Sequence, residues 1–100
     1  MQAGIRRDGD AIRMSGELTV HAVRDLKQPL LDALGGSARL DLSEVCEFDT
    51  AGLQLLLLAC REAERAGQRL AIGTASNIVR ETLVLAGCEW LLAPVREQAA

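Results

Sequence analysis

Residues 44–60, EVCEFDTAGLQLLLLAC, place an acid and a hydroxyl side by side, Asp49 and Thr50, directly before a run of leucines. A hydroxyl at this position can accept hydrogen bonds from the first amides of a helix as an N-cap, a role that Asp49 can also serve. The same hydroxyl can instead accept a phosphoryl group, because the positive end of a helix dipole tolerates an anion. The residues alone leave both interpretations open.

Other residues that carry chemistry form no recognisable catalytic pattern. The single His21 has no evident nucleophile partner, and we expect it to be exposed near the start of a helix. Cys46, Cys60 and Cys88 include no CxxC pair, so we expect small buried apolar side chains in a reducing compartment and no metal site. The phosphate-cradling motifs GxxxxGK[ST] and GxGxxG are missing from the sequence. We therefore predict no enzyme activity and no cofactor.

The chain length and the apolar content favour a single domain spanning residues 1–100. The net charge of −3 and the presence of only two aromatic residues, Phe48 and Trp90, argue against nucleic acid as a partner. The longest apolar run, residues 55–60, is too short to span a membrane, and no signal-peptide pattern stands at the N-terminus. We expect a cytoplasmic protein without direct membrane insertion.

The elements that must position these residues follow from periodicity and turn signals. Asp8-Gly9 predicts a β-hairpin. A helical pattern from Val20 to Leu34 contains Pro29, which predicts a kink or a broken first turn near residue 28. The remaining pattern predicts strands over 39–42, 69–73 and 89–92, helices over 52–66 and from Ser76 or Asn77 to Leu85, and a short helix or frayed tail over 94–100. Alternating strands and helices predict an α/β fold whose later strands are parallel.

A helical wheel divides the leucine-rich helix into two faces. One face is predicted to enter the core: Gly52, Leu53, Leu56, Ala59, Cys60 and Ala63. The opposite face carries Gln54, Arg61 and Arg65, and Leu58 falls within this solvent arc with Leu55 and Leu57 at its flanks. Leu58 is then either an ordinary isolated surface leucine or part of a partner-binding patch together with the Thr50 loop.

Four segments in this order resemble the STAS domain family, which includes the bacterial anti-sigma-factor antagonists: SGEL at 15–18, LDLSEV at 40–45, FDTAGLQLLL at 48–57 and SNIVRETLVLAG at 76–87. The resemblance runs over nearly the whole chain. It implies a mixed, mostly parallel sheet of about five strands with helices packed mainly on one side.

The resemblance also implies a function. Thr50 matches the residue that a partner serine/threonine kinase, the anti-sigma factor, phosphorylates in that family, and a phosphatase reverses the modification. In the family, the unphosphorylated antagonist binds the anti-sigma kinase and frees the sigma factor. We expect the partner-binding surface to comprise Asp49, Thr50, Ala51, Gly52, Gln54, Leu55 and Leu58.

Family members outside sigma-factor pathways offer alternatives. The chain also resembles the STAS accessory subunit of phospholipid-transporting ABC complexes, which assembles with an ATPase through the matching region. STAS proteins of chemotaxis-type signalling assemblies share the leucine-rich stretch. A small-molecule or nucleotide sensor is a further class, and no motif in this sequence supports it.

Overall fold

The computed structural model describes residues 3–92. The predicted tail over 94–100 lies outside the described residues. The elements in chain order are β1 (Gly4–Asp8), β2 (Ala11–Leu18), α1 (Val23–Ala33), β3 (Ala38–Phe48), α2 (Thr50–Arg65), β4 (Leu70–Ala75), α3 (Asn77–Leu85) and a short 3₁₀ turn (Glu89–Leu91).

Strands β1 and β2 form the predicted hairpin. They pair antiparallel from Gly4 opposite Ser15 to Asp8 opposite Ala11. Gly9, in the two-residue loop, has a φ of 64°, a left-handed conformation that favours glycine. The Asp8-Gly9 signal therefore predicted the turn correctly.

The sheet has the order β1-β2-β3-β4. The pairs β2–β3 and β3–β4 are parallel, so the sheet is mixed and mostly parallel, as predicted. Each parallel pair is joined through a helix, α1 for the first and α2 for the second. Because parallel strands end at the same edge, the segments that follow β2 and β3 meet at one end of the sheet.

The prediction of about five strands was wrong, because the segment 89–92 does not form a strand. The backbone N–H groups of Leu91 and Leu92 donate to the carbonyl oxygens of Cys88 and Glu89 at 3.0 Å each. These amides are therefore used within a tight turn and are not available to a ladder. Only Leu92 makes a single parallel bridge to β4, so the sheet described by residues 3–92 has four strands.

One face of the sheet carries the core. All three helices contribute to it, and its fully buried larger side chains are Ile12, Met14, Leu18, Leu30, Leu40, Leu42, Val45, Leu56, Ile72, Val79 and Leu83. The opposite face is polar: Arg13 and Arg39 are exposed, and Arg13 forms an ion pair with Asp41 at 3.5 Å. The expectation that helices pack mainly on one side is confirmed.

Helix α1 is shorter than its sequence pattern. It begins at Val23, so Val20 lies in the preceding turn and is 60% exposed. The helix continues through Pro29, so the broken turn near residue 28 does not occur, and the alternative of a kink stays a prediction. Since Pro29 and Asp25 are both exposed, the Asp25 carbonyl group that lacks a helical donor can be hydrated.

The ends of α2 and α3 are set by different contacts. Gly67, with a φ of 74°, ends α2, and the N–H of Gln68 donates to the carbonyl of Ala63 at 2.8 Å, as in a Schellman motif. Ser76 occupies the N-cap position of α3 but makes no side-chain cap. Its hydroxyl instead donates to the Val45 carbonyl at 2.6 Å, which ties the start of α3 to β3.

Candidate functional site

The N-terminus of α2 is built around the Asp49 carboxylate. One oxygen accepts a hydrogen bond from the N–H of Gly52 at 3.1 Å, which makes Asp49 the N-cap of the helix. The other oxygen accepts from the N–H of Val20 at 3.0 Å, 29 residues earlier in the chain. One side chain therefore joins the turn before α1 to the first turn of α2.

These contacts set the charge state of Asp49. Burial of the carboxyl group acts to raise its pKa, but hydrogen bonds from the backbone N–H groups of Val20, Gly52 and Ala51 oppose burial. The net result is a pKa below the ordinary value of 3.8. Asp49 is thus a stable anion at neutral pH, held at the positive end of the α2 dipole.

Thr50 is the first residue of α2, and its side chain is not the cap. The residue is exposed, and within residues 3–92 its hydroxyl makes no hydrogen bond. Of the two roles considered for the Asp49-Thr50 pair, capping belongs to Asp49. The Thr50 hydroxyl remains accessible to a partner or an enzyme.

At Gly52, the backbone of α2 lies in close contact with the end of β2. A Cβ atom added to Gly52 would overlap the backbone carbonyl oxygen of Leu18 and would lie 3.0 Å from two ring carbons of Phe48. Both neighbours are buried. Only glycine fits here, because a side chain would push the start of α2, and Thr50 with it, away from the end of β2.

A groove of about 680 Å³ runs between α1 and α2 and begins next to Thr50. Its apolar lining comes from Val20, Val23, Ala51, Leu55, Leu57 and Leu58. Its polar lining comes from Arg24, Lys27, Gln54 and Arg61. The groove therefore combines an apolar floor with a rim that carries positive charge.

The structure places the predicted partner-binding residues at different depths. Thr50 and Gln54 are exposed, Ala51 and Leu58 are half-buried, and Gly52 and Leu55 are buried, with Leu55 only 5% exposed. Asp49 is half-buried and holds the helix start in place. The remaining groove residues on α1 were not identified from the sequence, although the apolar and basic side chains at Val23, Arg24 and Lys27 share one helix side in the α1 pattern.

The other residues considered for chemistry do not line this groove. His21 is exposed, as predicted. The three cysteines are free. All three were expected to be buried, but Cys60 and Cys88 are half-buried and Cys46 is exposed. Within residues 3–92, no group of three or more histidine, cysteine or acidic residues could hold a metal ion. None of the helices formed by these residues has the length and apolar character needed to cross a membrane.

The chain is a small single-sheet α/β protein. Its mixed sheet has four strands and carries three helices on one face, and α2 begins with Thr50 directly after β3. The chain belongs to the STAS domain family: the family model described as "Mlab, STAS domain" matches residues 1–93. Among curated protein sequences, none is a significant match to the chain.

Two solved structures show the same fold. The unphosphorylated form of the anti-sigma factor antagonist SpoIIAA is 22% identical, with a TM-score of 0.74 over 97% of this chain and 92% of that chain. The phosphorylated form of the Bacillus cell fate determinant SpoIIAA is 18% identical, with a TM-score of 0.65 over 97% of this chain and 96% of that chain. At these identities the likeness concerns the fold.

Proposed function

We propose that the chain is a regulatory STAS protein that binds a partner serine/threonine kinase of the anti-sigma-factor type and is released by phosphorylation of Thr50. The observation that carries this proposal is the Thr50 hydroxyl: Thr50 is exposed, its hydroxyl makes no hydrogen bond within residues 3–92, and the next residue, Ala51, lines an apolar groove. Solved structures of both the phosphorylated and the unphosphorylated form of SpoIIAA, which has the same fold, support the proposal.

The proposed modification is a phosphoryl transfer from ATP. The Thr50 oxygen forms a bond to the γ-phosphorus, the bond between that phosphorus and the leaving oxygen breaks, ADP departs, and the hydroxyl proton passes to a base of the kinase. A phosphatase restores the hydroxyl by transferring the phosphoryl group to water. Each cycle therefore adds and removes roughly 1.5 to 2 negative charges at one edge of the groove.

The fold should tolerate this change, because Thr50 has no capping role and the α2 dipole favours an anion at its N-terminus. A docked partner should not tolerate it. When the partner covers Ala51 and Leu58, the new charge on the neighbouring Thr50 must lose its hydration or repel acidic groups of the partner. Phosphorylation should therefore break the complex without unfolding the protein.

The test uses Thr50→Glu in the protein purified with its native partner. We expect loss of the complex, with a melting temperature close to that of the unmodified protein. Ser37→Glu is the matched control, since Ser37 is exposed and precedes β3, roughly 30 Å from Thr50 along that strand. Ser37→Glu should leave binding intact. Binding of Thr50→Glu at unchanged affinity would contradict the switch.

Leu58→Asp tests the groove independently of phosphorylation. Leu58 is half-buried and lines the groove, so an aspartate there should weaken the complex while lowering stability only slightly. A loss of several kcal/mol in the free energy of unfolding would instead assign Leu58 to the core.

The second candidate is an accessory subunit that binds the ATPase of a phospholipid-transporting ABC complex constitutively. The match of residues 1–93 to the model described as "Mlab, STAS domain" favours it. The two functions differ in the state of Thr50. Intact-mass analysis of the native complex before and after phosphatase treatment distinguishes a reversible phosphoprotein from a permanent, unmodified subunit.

A further inference from the structure

We propose that the groove between α1 and α2 receives an amphipathic helix of the partner whose apolar stripe is flanked by acidic residues. This inference names the chemistry of the partner at the proposed switch site, and its regulatory meaning rests on the proposed function. Three observations carry it: the apolar floor, the charge of the rim and the position of the groove beside Thr50.

The floor of the groove offers apolar area that the fold leaves uncovered. Leu55 closes the bottom at 5% exposure, Leu57 and Leu58 are half-buried, and Val20 at the mouth is 60% exposed. These side chains come from the turn before α1 and from α2. A partner that covers them removes apolar surface from water, which is the main source of affinity in such contacts.

The rim has a single sign of charge. Arg24 and Lys27 on α1 and Arg61 on α2 line the groove, and all three are exposed. No acidic residue is in the lining, and within residues 3–92 none of the three cations forms an ion pair. This positive surface lies on a chain whose net charge is −3, so it runs against the average of the molecule.

The geometry suits a helix. Two packed helices leave a furrow between them, and the lining residues of α2 run from Ala51 to Arg61, which corresponds to a wall of about 15 Å. An amphipathic helix of two to three turns fits such a furrow with anchors at i, i+3 or i+4 and i+7. Its flanking acids would then face Arg24 and Lys27 on one side and Arg61 on the other.

The position of the groove next to Thr50 in the chain determines whether phosphorylation weakens or strengthens binding of the helix. Ala51, which directly follows Thr50, is part of the lining, so a phosphoryl group on Thr50 adds its charge close to the groove. Negative charge there offsets the rim cations and repels an acid-flanked helix. The same modification would strengthen the attraction for a base-flanked helix, so the charge of the partner decides the direction of the switch.

The experiment uses two synthetic helical peptides of about fourteen residues, roughly 21 Å long. Both carry the same leucine stripe; glutamates flank it in one and lysines in the other. Fluorescence anisotropy measures their affinity for the intact protein at low and high salt. We expect the acid-flanked peptide to bind about tenfold more tightly at low salt, and the difference to shrink as salt rises.

Charge reversal locates the effect. The double variant Lys27→Glu, Arg61→Glu should invert the preference between the two peptides, because the α1 wall becomes neutral, the α2 wall changes sign, and the rim as a whole becomes negative. Arg80→Glu is the control: Arg80 is exposed on α3 and is not part of the groove, so its reversal should leave the preference unchanged.

Several outcomes would overturn the inference: equal affinity for both peptides, binding of neither, or a homodimer in sedimentation that the double variant dissociates. The last would assign the groove to a second copy of this chain. Acid-peptide binding that Thr50→Glu does not weaken supports the groove assignment and refutes the switch. Release of the native partner by Thr50→Glu without a peptide preference supports the switch and refutes the groove assignment.

Discussion

Gly52→Ala should change the stability of the fold through two opposing effects, helix propensity and steric overlap. Gly52 is the third residue of α2, and intrinsic helix propensity alone predicts that alanine stabilises this position by up to about 1 kcal/mol. The structure predicts the reverse. The new Cβ would overlap the carbonyl oxygen of Leu18, a residue with no exposed surface, so no flexible side chain can move aside.

The expected cost follows from what has to move. The start of α2 must shift away from the end of β2, and an overpacked contact of this kind costs about 1–3 kcal/mol. A net loss of about 2 kcal/mol corresponds to a melting temperature lower by about 10 °C in a domain of this size. Because Thr50 lies two residues away, the same shift should also weaken partner binding.

Gly73→Ala is the matched control. A Cβ on Gly73 would lie 3.5 Å from the nearest atom of Arg39 and 3.7 Å from the carbonyl oxygen of Leu40, which are ordinary van der Waals distances. We expect Gly73→Ala to be neutral or to stabilise the fold by less than about 1 kcal/mol. Thermal and urea unfolding followed by circular dichroism measure both variants. A Gly52→Ala protein at least as stable as the wild type would refute the close approach of α2 to β2.

Three further predictions concern other parts of the chain. Asp49→Asn should lower stability at neutral pH, and the difference from wild type in urea unfolding should shrink as pH falls below 3.8, since a carboxyl whose folded-state pKa is depressed stabilises only when ionised. Leu56→Ala, at a site with no exposed surface, should cost about 2–5 kcal/mol, whereas Leu58→Ala should cost clearly less; chemical unfolding ranks them. Cys46 should react with a maleimide faster than Cys60 by mass spectrometry, because burial, aided by a nearby glutamate, raises the pKa of the Cys60 thiol.

The sequence predicted well what depends on local periodicity. The wheel assigned six residues to the core side of α2: Gly52, Leu53, Leu56, Ala59 and Ala63 are buried, and Cys60 is half-buried. It failed for Leu55, which it placed at the flank of the solvent face. A wheel locates one buried face, but α1 packs against the side of α2 and covers a second one. Which side a neighbouring helix covers is a tertiary property that periodicity does not contain.

The start of α1 shows the same limit. The pattern extended the helix back to Val20, yet the helix begins at Val23. The N–H of Val20 donates to the Asp49 carboxylate, which follows the neighbouring strand at the same end of the sheet, and this contact fixes the turn outside the helix. Residue types could single out the Asp49-Thr50 pair, but which of the two residues caps α2 became clear only from the hydrogen bonds that the Asp49 carboxylate accepts.

The hydrogen bond from the Val20 N–H to the Asp49 carboxylate makes the Val20 amide a probe of the start of α2. Val20 is largely exposed, so its N–H would exchange rapidly with deuterium if the carboxylate did not hold it. Its nitrogen-15 resonance should therefore sense any charge added to the neighbouring Thr50. A single cross-peak can then follow the state of the α2 terminus during a titration, without any label on the partner.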